Sequence, residues 1–486
     1  LLSCLGGAAG LVLAFGLNSL LISFLPPSTT PLRLAAVPDW RVLAFTFGVA
    51  FLTGLVFGLF PALSAGRTDA APALKEEGRG MSTGSSGLVR KTLVGVQVAL
   101  SILLLIAAGL FVRTLQNLKF ANTGLVTSRL ITFQSEPSLN GFSTERIKQF
   151  LREFRQRAEG MPGVAKVGVG TIAKMSGNEW DSTVTVEGYK HDPGKMPGPY
   201  FDSVTPGYVE AMGMKILEGR DFRDSDANAE APEPRKTTWR VCMINKKFAD
   251  TYFAGKSPLG YHIGMGGDPG TKTTVEIVGV FSDAKYMNMR EDVQLQVLVP
   301  LYETAYPASM VAYVRTTSDE STVFGQVRGL MRQLDPNLPI YSMHSFEDQI
   351  DNILSTERLM SFLASIFGVV ATLLAAIGLY GVLSLAVSRR LREIGIRIAL
   401  GAETRTVVSL VLKEILYLIA GGVAVGIPAA VLLSQYVQSQ LYGMEATDPK
   451  TFAIAVVSLV SVALLAALLP TRRATLVNPI EVLRYE

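Results

Sequence analysis

The chain has 486 residues, 49% of them hydrophobic and 18% charged, with a net charge of +4 and a mean hydropathy of +0.32. That is too apolar for an ordinary soluble enzyme and too charged for an all-membrane bundle, so several spans plus a soluble domain fit best. The small net charge does not imply a nucleic-acid partner, and Cys4 and Cys242, the only two cysteines, do not suggest a disulfide framework.

Leu1 already lies in an apolar run, without an initiator Met, a charged leader or a cleavage site, so the chain reads as starting mid-protein. Six charge-poor runs follow: residues 1–25, closed by Pro26-Pro27; Val42 to Gly66; Thr92 to Val112; the stretch between Arg358 and Arg389; a run beginning after Glu414; and Thr451 to Thr471. Each reaches the roughly 20 residues needed to cross a hydrocarbon core. The segments 64–91, 388–409 and the C-terminal tail hold thirteen of the Lys and Arg beside these runs, against Arg33, Arg41 and Lys450 on the other side. The first group is therefore expected in the cytoplasm, and the long insertion between spans three and four outside it. Leu359 to Ser388 is about 30 residues, roughly 45 Å as a helix. The surplus over the bilayer is either tilt or a stalk entering the outer domain; the stalk is favoured, because Phe346 to Arg358 also reads helical.

The insertion reads as α+β. Ile147, Phe150, Leu151, Phe154 and Ala158 form one apolar helical face, ended by Gly160-Met161-Pro162-Gly163. Strand-like runs are Val164–Val169, Val184–Val186, Val241–Ile244, Val275–Val280, Val297–Val299 and Val311–Val314, and a second helix is expected from Asp319 to Leu334. Asn178–Asp181 and Ala227–Lys236 read as exposed loops.

A shift of 409 residues aligns two segments without gaps: Asp39 with Asp448, Arg41 with Lys450, Pro61 with Pro470 and Lys75 with Arg484. Gly6 and Gly10 correspond to Gly422 and Gly426 after a change in loop length. Spans one and two thus repeat spans five and six, with Gly78 to Gly87 as a flexible joint. The Gly255-Lys256-Ser257 triplet imitates the end of a phosphate loop, but Asp250 stands where that loop needs glycine and Pro258 follows at once. Gly264 to Gly270 reads as a turn. Asp221, Asp224 and Asp226 lack a full calcium loop, and His191, His262 and His344 are far apart without ligand spacing, so no metal site and no catalytic constellation is expected. Ionisable groups are missing from the span centres, which argues against an ion-driven pump.

Between spans four and five runs Arg389-Arg-Leu-Arg-Glu-Ile-Gly-Ile-Arg-Ile-Ala-Leu-Gly-Ala402, basic, amphipathic and without equal elsewhere in the chain. It resembles the RxxEIGIRxALGA signature of ABC-transporter permeases of the MacB-like and FtsX-like family. The ending Asn478-Pro479-Ile480-Glu481-Val482-Leu483-Arg484 resembles that family's DPxxALR tail. Three stretches resemble its periplasmic core domain: Pro206 to Gly213 with Gly219 to Phe222; Val241 to Gly260 with Asn245, Phe248, Tyr252 and Phe253; and Glu276 to Val280 with Asp283. The duplicated layout is similar to the duplicated orphan permeases best known from acidobacteria, without the opening part of their first unit. The resemblance implies an integral membrane α-helical bundle of six spans with an inserted α+β extracytoplasmic domain of the MacB periplasmic core kind. Residues 1–77 would be the last two spans and tail of a first permease repeat, 78–91 a flexible cytoplasmic linker and 92–124 the span opening the second repeat. Residues 125–355 would be the extracytoplasmic domain and 356–486 the stalk, coupling helix, two spans and tail.

The resemblance also implies a non-enzymatic permease subunit in the bacterial inner membrane, with ATP and magnesium held by a separate cytoplasmic ATPase. Arg392, Glu393, Ile394, Gly395, Arg397, Ala399, Leu400, Gly401 and Ala402 would form the ATPase contact. Leu391, Ile394, Ile398 and Leu400 supply apolar contacts, and Arg392, Glu393 and Arg397 a polar rim. A helix held only by anionic membrane lipid is the plainer alternative. Further expected partners are a periplasmic adaptor, an outer-membrane protein, and a second copy or the paired repeat. Export is the expected function; a regulatory permease that signals to a partner protein without transport is the alternative. In a duplicated chain a second such segment is expected upstream of Leu1.

Overall fold

The computed structural model describes residues 2–23, 40–66, 85–189, 198–226, 239–268, 270–304, 307, 309–389 and 404–475. These form two compact units, Leu1–Lys119 with Ser355–Glu486, and Phe120–Leu354. The loop 227–236, His191 and the 478–484 tail lie outside the described residues.

The first unit opens with α1, Leu2–Ser23, and α2, Trp40–Gly66, which pack on each other. Helix α3, Ser85–Lys119, begins inside the stretch expected to be a flexible joint. Helix propagation past the apolar run adds one hydrogen bond per residue fixed, so the span's helix extends through residues 85–91.

The second unit is built on an eleven-stranded mixed sheet. Strand β1, Leu130–Ser135, leads to α4, Thr144–Glu159, capped by Ser143, whose Oγ accepts from the Arg146 N–H. The five buried residues of α4 are Ile147, Phe150, Leu151, Phe154 and Ala158, the predicted face. Then come β2, Val164–Gly170; β3, Val184–Val186; β4, Tyr200–Val204; the single turn α5, Tyr208–Ala211; and β5, Ile216–Gly219. Next are β6, Val241–Asn245; α6, Lys246–Phe253; β7, His262–Met265; β8, Val275–Phe281; β9, Gln296–Pro300; and β10, Met310–Thr316. The unit closes with α7, Glu320–Leu334; β11, Tyr341–Ser345; and α8, Phe346–Ile353. The strand order is β11-β1-β10-β2-β4-β9-β6-β8-β7-β3, with β5 on β8.

Asn245 pins the centre of this sheet. It is fully buried at the junction of β6 and α6. Its Nδ2 donates to Asp283 Oδ1 (2.8 Å) and Gln294 O (2.9 Å), and its Oδ1 accepts from Phe248 N and Gln296 N. Replacement by alanine orphans several buried groups and a helix cap at once, a cost of about 3 kcal/mol. Thermal unfolding of the full chain, followed by the fluorescence of Trp180 and Trp239, is expected to show a fall in melting temperature for Asn245→Ala.

The first unit resumes with α9, Ser355–Arg389; α10, Thr404–Ser434; and α11, Pro449–Thr475. The expected stalk from Phe346 to Arg358 is two helices, not one. The helical path breaks at Leu354, which is buried with φ −82° and ψ 9° and whose N–H bonds to Ile350 O. Four helices are long and apolar enough to cross a membrane: Arg90–Lys119, Ser355–Ser388, Leu412–Gln440 and Pro449–Arg472. The described parts of α1 and α2 contribute the shorter apolar runs Leu5–Gly16 and Trp40–Leu52, so six such spans are not counted among the described residues. Helices α2 and α11 each have 27 residues and are offset by 409 at both ends, from 40 to 449 and from 66 to 475.

Candidate functional site

The segment singled out in the sequence falls outside the described residues: Arg392, Glu393, Ile394, Gly395, Arg397, Ala399, Leu400, Gly401 and Ala402 all lie between the end of α9 at Arg389 and the start of α10 at Thr404. What the structure describes is the bundle on which both ends of that segment are mounted. Helix α3 is its axis. Val94, Val98, Ile102, Ile106 and Leu110 recur every fourth residue and are all buried. This is the ridge that an α-helix presents for close packing.

Small residues bring the neighbours against that ridge. A Cβ on Gly422 of α10 would lie 2.4 Å from Val98 Cγ1, and one on Gly426 would lie 2.1 Å from Ile102 Cγ2. On α9, a Cβ on Gly378 would meet Gln97 Oε1 at 2.6 Å, and Ser101 Oγ donates across the helices to Ala371 O at 2.8 Å. The corresponding Gly6 and Gly10 of α1 have nothing within 4 Å.

Ionic contacts fix α3 near both ends. Lys91 pairs with Glu414 of α10 at 2.5 Å. Glu414 lies inside α10, which starts at Thr404, before the charge-free run that was expected to open after Glu414. At the opposite end Arg113 pairs with Asp448, whose Oδ2 also accepts from the N–H (2.9 Å) and Oγ1 (2.7 Å) of Thr451 and so caps α11. Asn117 Nδ2 donates to Tyr442 O at 3.0 Å. Sequence reasoning took Arg113 only as a boundary. The available signal was Asp448-Pro449, a capping residue followed by proline at the first helical position. An axis tied at both ends and packed closely between them is rigid, because packed interfaces do not deform continuously.

The outer domain holds a second cluster that the sequence did not reveal. Lys174 and Asp202 are both buried, with Nζ 3.7 Å from Oδ2 and 3.4 Å from the centre of the Tyr286 ring. Asp202 Oδ1 accepts from Thr171 N (3.0 Å), Thr171 Oγ1 (3.1 Å) and Ile172 N (3.1 Å). The ammonium has a counter-charge but no hydrogen-bond acceptor among the described residues. Burial holds it down at about 8, against the upward pull of Asp202 and Glu291. Burial likewise raises the Asp202 carboxyl, opposed by Lys174 and the donors of Thr171 and Ile172. Lys174 titrates near 8 in the folded chain, against an ordinary 10.5 when unfolded. Between those values the unfolded state carries the extra proton, so this group makes stability rise with pH there and adds no slope well below 8. Melting temperatures from pH 8 to 10.5 are expected to climb for the wild type relative to Lys174→Met; parallel curves would contradict the depressed ammonium.

The remaining motifs have structural partners. Gly255-Lys256-Ser257 follows the C-terminus of α6, where exposed carbonyls repel a phosphate, and Ser257 Oγ donates to Glu218 at 2.9 Å. Asp224 pairs with Arg155 (2.8 Å) and Asp226 with Arg220 (2.7 Å), while Asp221 accepts from Gly207 N and Phe222 N. Gly264 lies in β7 opposite Thr185, not in a turn, because its missing Cβ admits Lys272 O. Trp180, in the loop expected to be exposed, packs at a tilt against Phe201 and Trp239.

Two family models match the chain, the MacB-like periplasmic core domain over residues 96–330 and the FtsX-like permease C-terminal region over 365–479. Among curated proteins, an uncharacterized ABC transporter permease of Bacillus subtilis (strain 168), YknZ, is 24% identical over 340 residues, 68% of this chain and 77% of that one. A probable export ATP-binding/permease protein of Pseudomonas fluorescens (strain Pf0-1) is 26% identical over 288 residues, 57% of this chain and 42% of that protein. The macrolide export ATP-binding/permease protein MacB of Chromobacterium violaceum is 24% identical over 372 residues, 67% of this chain and 54% of its own. The chain thus spans about half the length of these two ATP-binding/permease relatives.

Proposed function

The chain is a MacB/FtsX-like ABC permease, a membrane protein with a periplasmic-type domain, and from that premise we propose that it is the membrane subunit that couples a separate cytoplasmic ATPase to its outer domain for export. The ATPase supplies ATP and magnesium. The segment Arg392 to Ala402 is the contact on which it docks, with six helices, α1 to α3 and α9 to α11, spanning the inner membrane. Closure of paired ATPases pushes this segment, and the tied bundle carries the push outward.

The observation that supports this reading best is the bundle itself. The basic segment is mounted between α9 and α10, and both are packed on an α3 fixed by Lys91–Glu414 at one end and Arg113–Asp448 at the other. Lys91, Arg113, Lys413 and Glu414 lie towards the ends of their apolar stretches, so the described spans offer no charged path for a substrate to follow through the bilayer. Motion of the outer domain is then the working step.

Purification of the full-length protein from its native membrane, with mass spectrometry of what comes with it, is expected to recover an ABC ATPase. It also registers an adaptor, an outer-membrane protein or a second copy. Repeated recovery with no ATPase would count against the reading.

A further inference from the structure

Against the C-terminal half of α7 the outer domain has an open cavity of about 380 Å³. Its walls come from α7, from the loop that follows it and from the edge strand β11. Met331 and Leu338 line it as buried side chains, and Met343 of β11 is half-buried beside them. Arg328 and Arg332 also line it but are exposed, which places them at its rim. Being four residues apart, they share one face of α7.

The described chain gives these two guanidiniums no counter-charge. Among the described residues neither takes part in an ion pair or a hydrogen bond. The adjacent carboxylate, Asp335, is engaged elsewhere: its Oδ2 accepts from Arg146 Nη2 and its Oδ1 from Asn337 N, both at 2.9 Å. Like charges at this spacing repel each other mildly. A cation in the last turn suits the helix dipole, and that alone accounts for Arg332 as a solvated charge. It does not account for an apolar hollow beneath two cations.

The hollow is held open by its own loop. Pro336 and Pro339 fix two of the loop's φ angles, and Ser135 Oγ donates to Pro339 O at 2.9 Å. A wall that is already ordered loses little entropy when a ligand binds against it. Small-ligand sites share this design, an apolar lining with a few convergent polar groups, at volumes of about 300 to 1,000 Å³. At roughly 30 Å³ per water-sized group, this cavity takes about a dozen non-hydrogen atoms. That suits an anionic head carrying one ring or a short chain, and it is too small for the two chains of a bilayer lipid. The guanidinium fork matches the oxygens of a phosphate or a carboxylate.

We propose that this cavity binds a small organic anion. Arg328 and Arg332 hold its phosphate or carboxylate head, and Met331, Leu338 and Met343 receive its apolar body. The site is separate from the ATPase contact proposed above and does not depend on it.

Isothermal titration of the full chain in a non-ionic detergent, without ATPase, tests the site with three probes: phenyl phosphate, inorganic phosphate and phenol. Each is read against a detergent-matched blank. Phenyl phosphate is expected to bind saturably, inorganic phosphate about tenfold or more weakly, and phenol without saturation, because only the first fills both halves of the site. Arg328→Gln with Arg332→Gln is expected to weaken phenyl phosphate about tenfold or more. Both side chains are exposed, so the fold is kept, and an unchanged melting temperature checks this. Lys256→Gln with Lys272→Gln removes the same charge from exposed positions elsewhere and is expected to leave binding unchanged. No saturable binding of phenyl phosphate, equal affinity for inorganic phosphate or phenol, or equal weakening by both double variants would overturn the site. None of these results bears on recovery of the ATPase, so the two readings fail independently.

Discussion

Gly426→Leu is expected to abolish recovery of folded, monodisperse protein, while Gly421→Leu five residues earlier leaves it intact. The difference is local. A Cβ at position 426 would lie 2.1 Å from Ile102 Cγ2, 2.9 Å from Ala99 O and 3.2 Å from Ala99 Cα, whereas one at 421 has nothing within 4 Å. Two of the atoms facing Gly426 are backbone, so no rotamer change relieves the clash and α10 must leave α3. In lipid there is no hydrophobic penalty for exposing the freed surface, and close packing is most of what holds spans together. Overpacking a close contact costs about 3 kcal/mol or more, and here it also parts the buried ridge from Val94 to Leu110. Size-exclusion profiles and melting temperatures of detergent-extracted protein decide it; equal profiles for both variants would contradict the packing argument.

Exchanging charges in the basic segment, Glu393→Lys with Arg397→Glu, is expected to remove the ATPase from the purified complex. The pair keeps the net charge of the segment, so a helix held only by anionic lipid keeps its attraction to the surface. A docking surface has a fixed pattern instead. Both reversed positions then meet like charge, at a cost of several kcal/mol. Since each 1.4 kcal/mol is tenfold in affinity, binding falls on the order of a hundredfold. Co-purification and pull-down titration of the ATPase measure this; unchanged binding would make the docking assignment wrong.

Sequence periodicity revealed the elements whose buried face repeats at one spacing. The five buried residues of α4 and the span Val184–Val186 of β3 were legible for that reason. The bounds of α2 and α11 are offset by the same 409 residues as the two aligned sequence segments. Strand β4 was not legible. Its sequence Tyr-Phe-Asp-Ser-Val places Asp202 and Ser203 at buried positions, where alternation leads one to expect apolar residues. The pairs Arg113–Asp448 and Lys174–Asp202 were hidden differently, because each joins positions that only the tertiary fold brings together. The expected joint over residues 85–91 failed because a long apolar helix extends beyond the residues that cross the bilayer.

The central claim is that the segment between α9 and α10 touches an ATPase. A photoreactive residue in place of Ile394, one of the apolar residues of that segment, tests it in native membranes. The account predicts a cross-linked product containing an ATP-binding protein, lost in the Glu393→Lys/Arg397→Glu variant. Cross-links to lipid alone, in the presence of that ATPase, would contradict it.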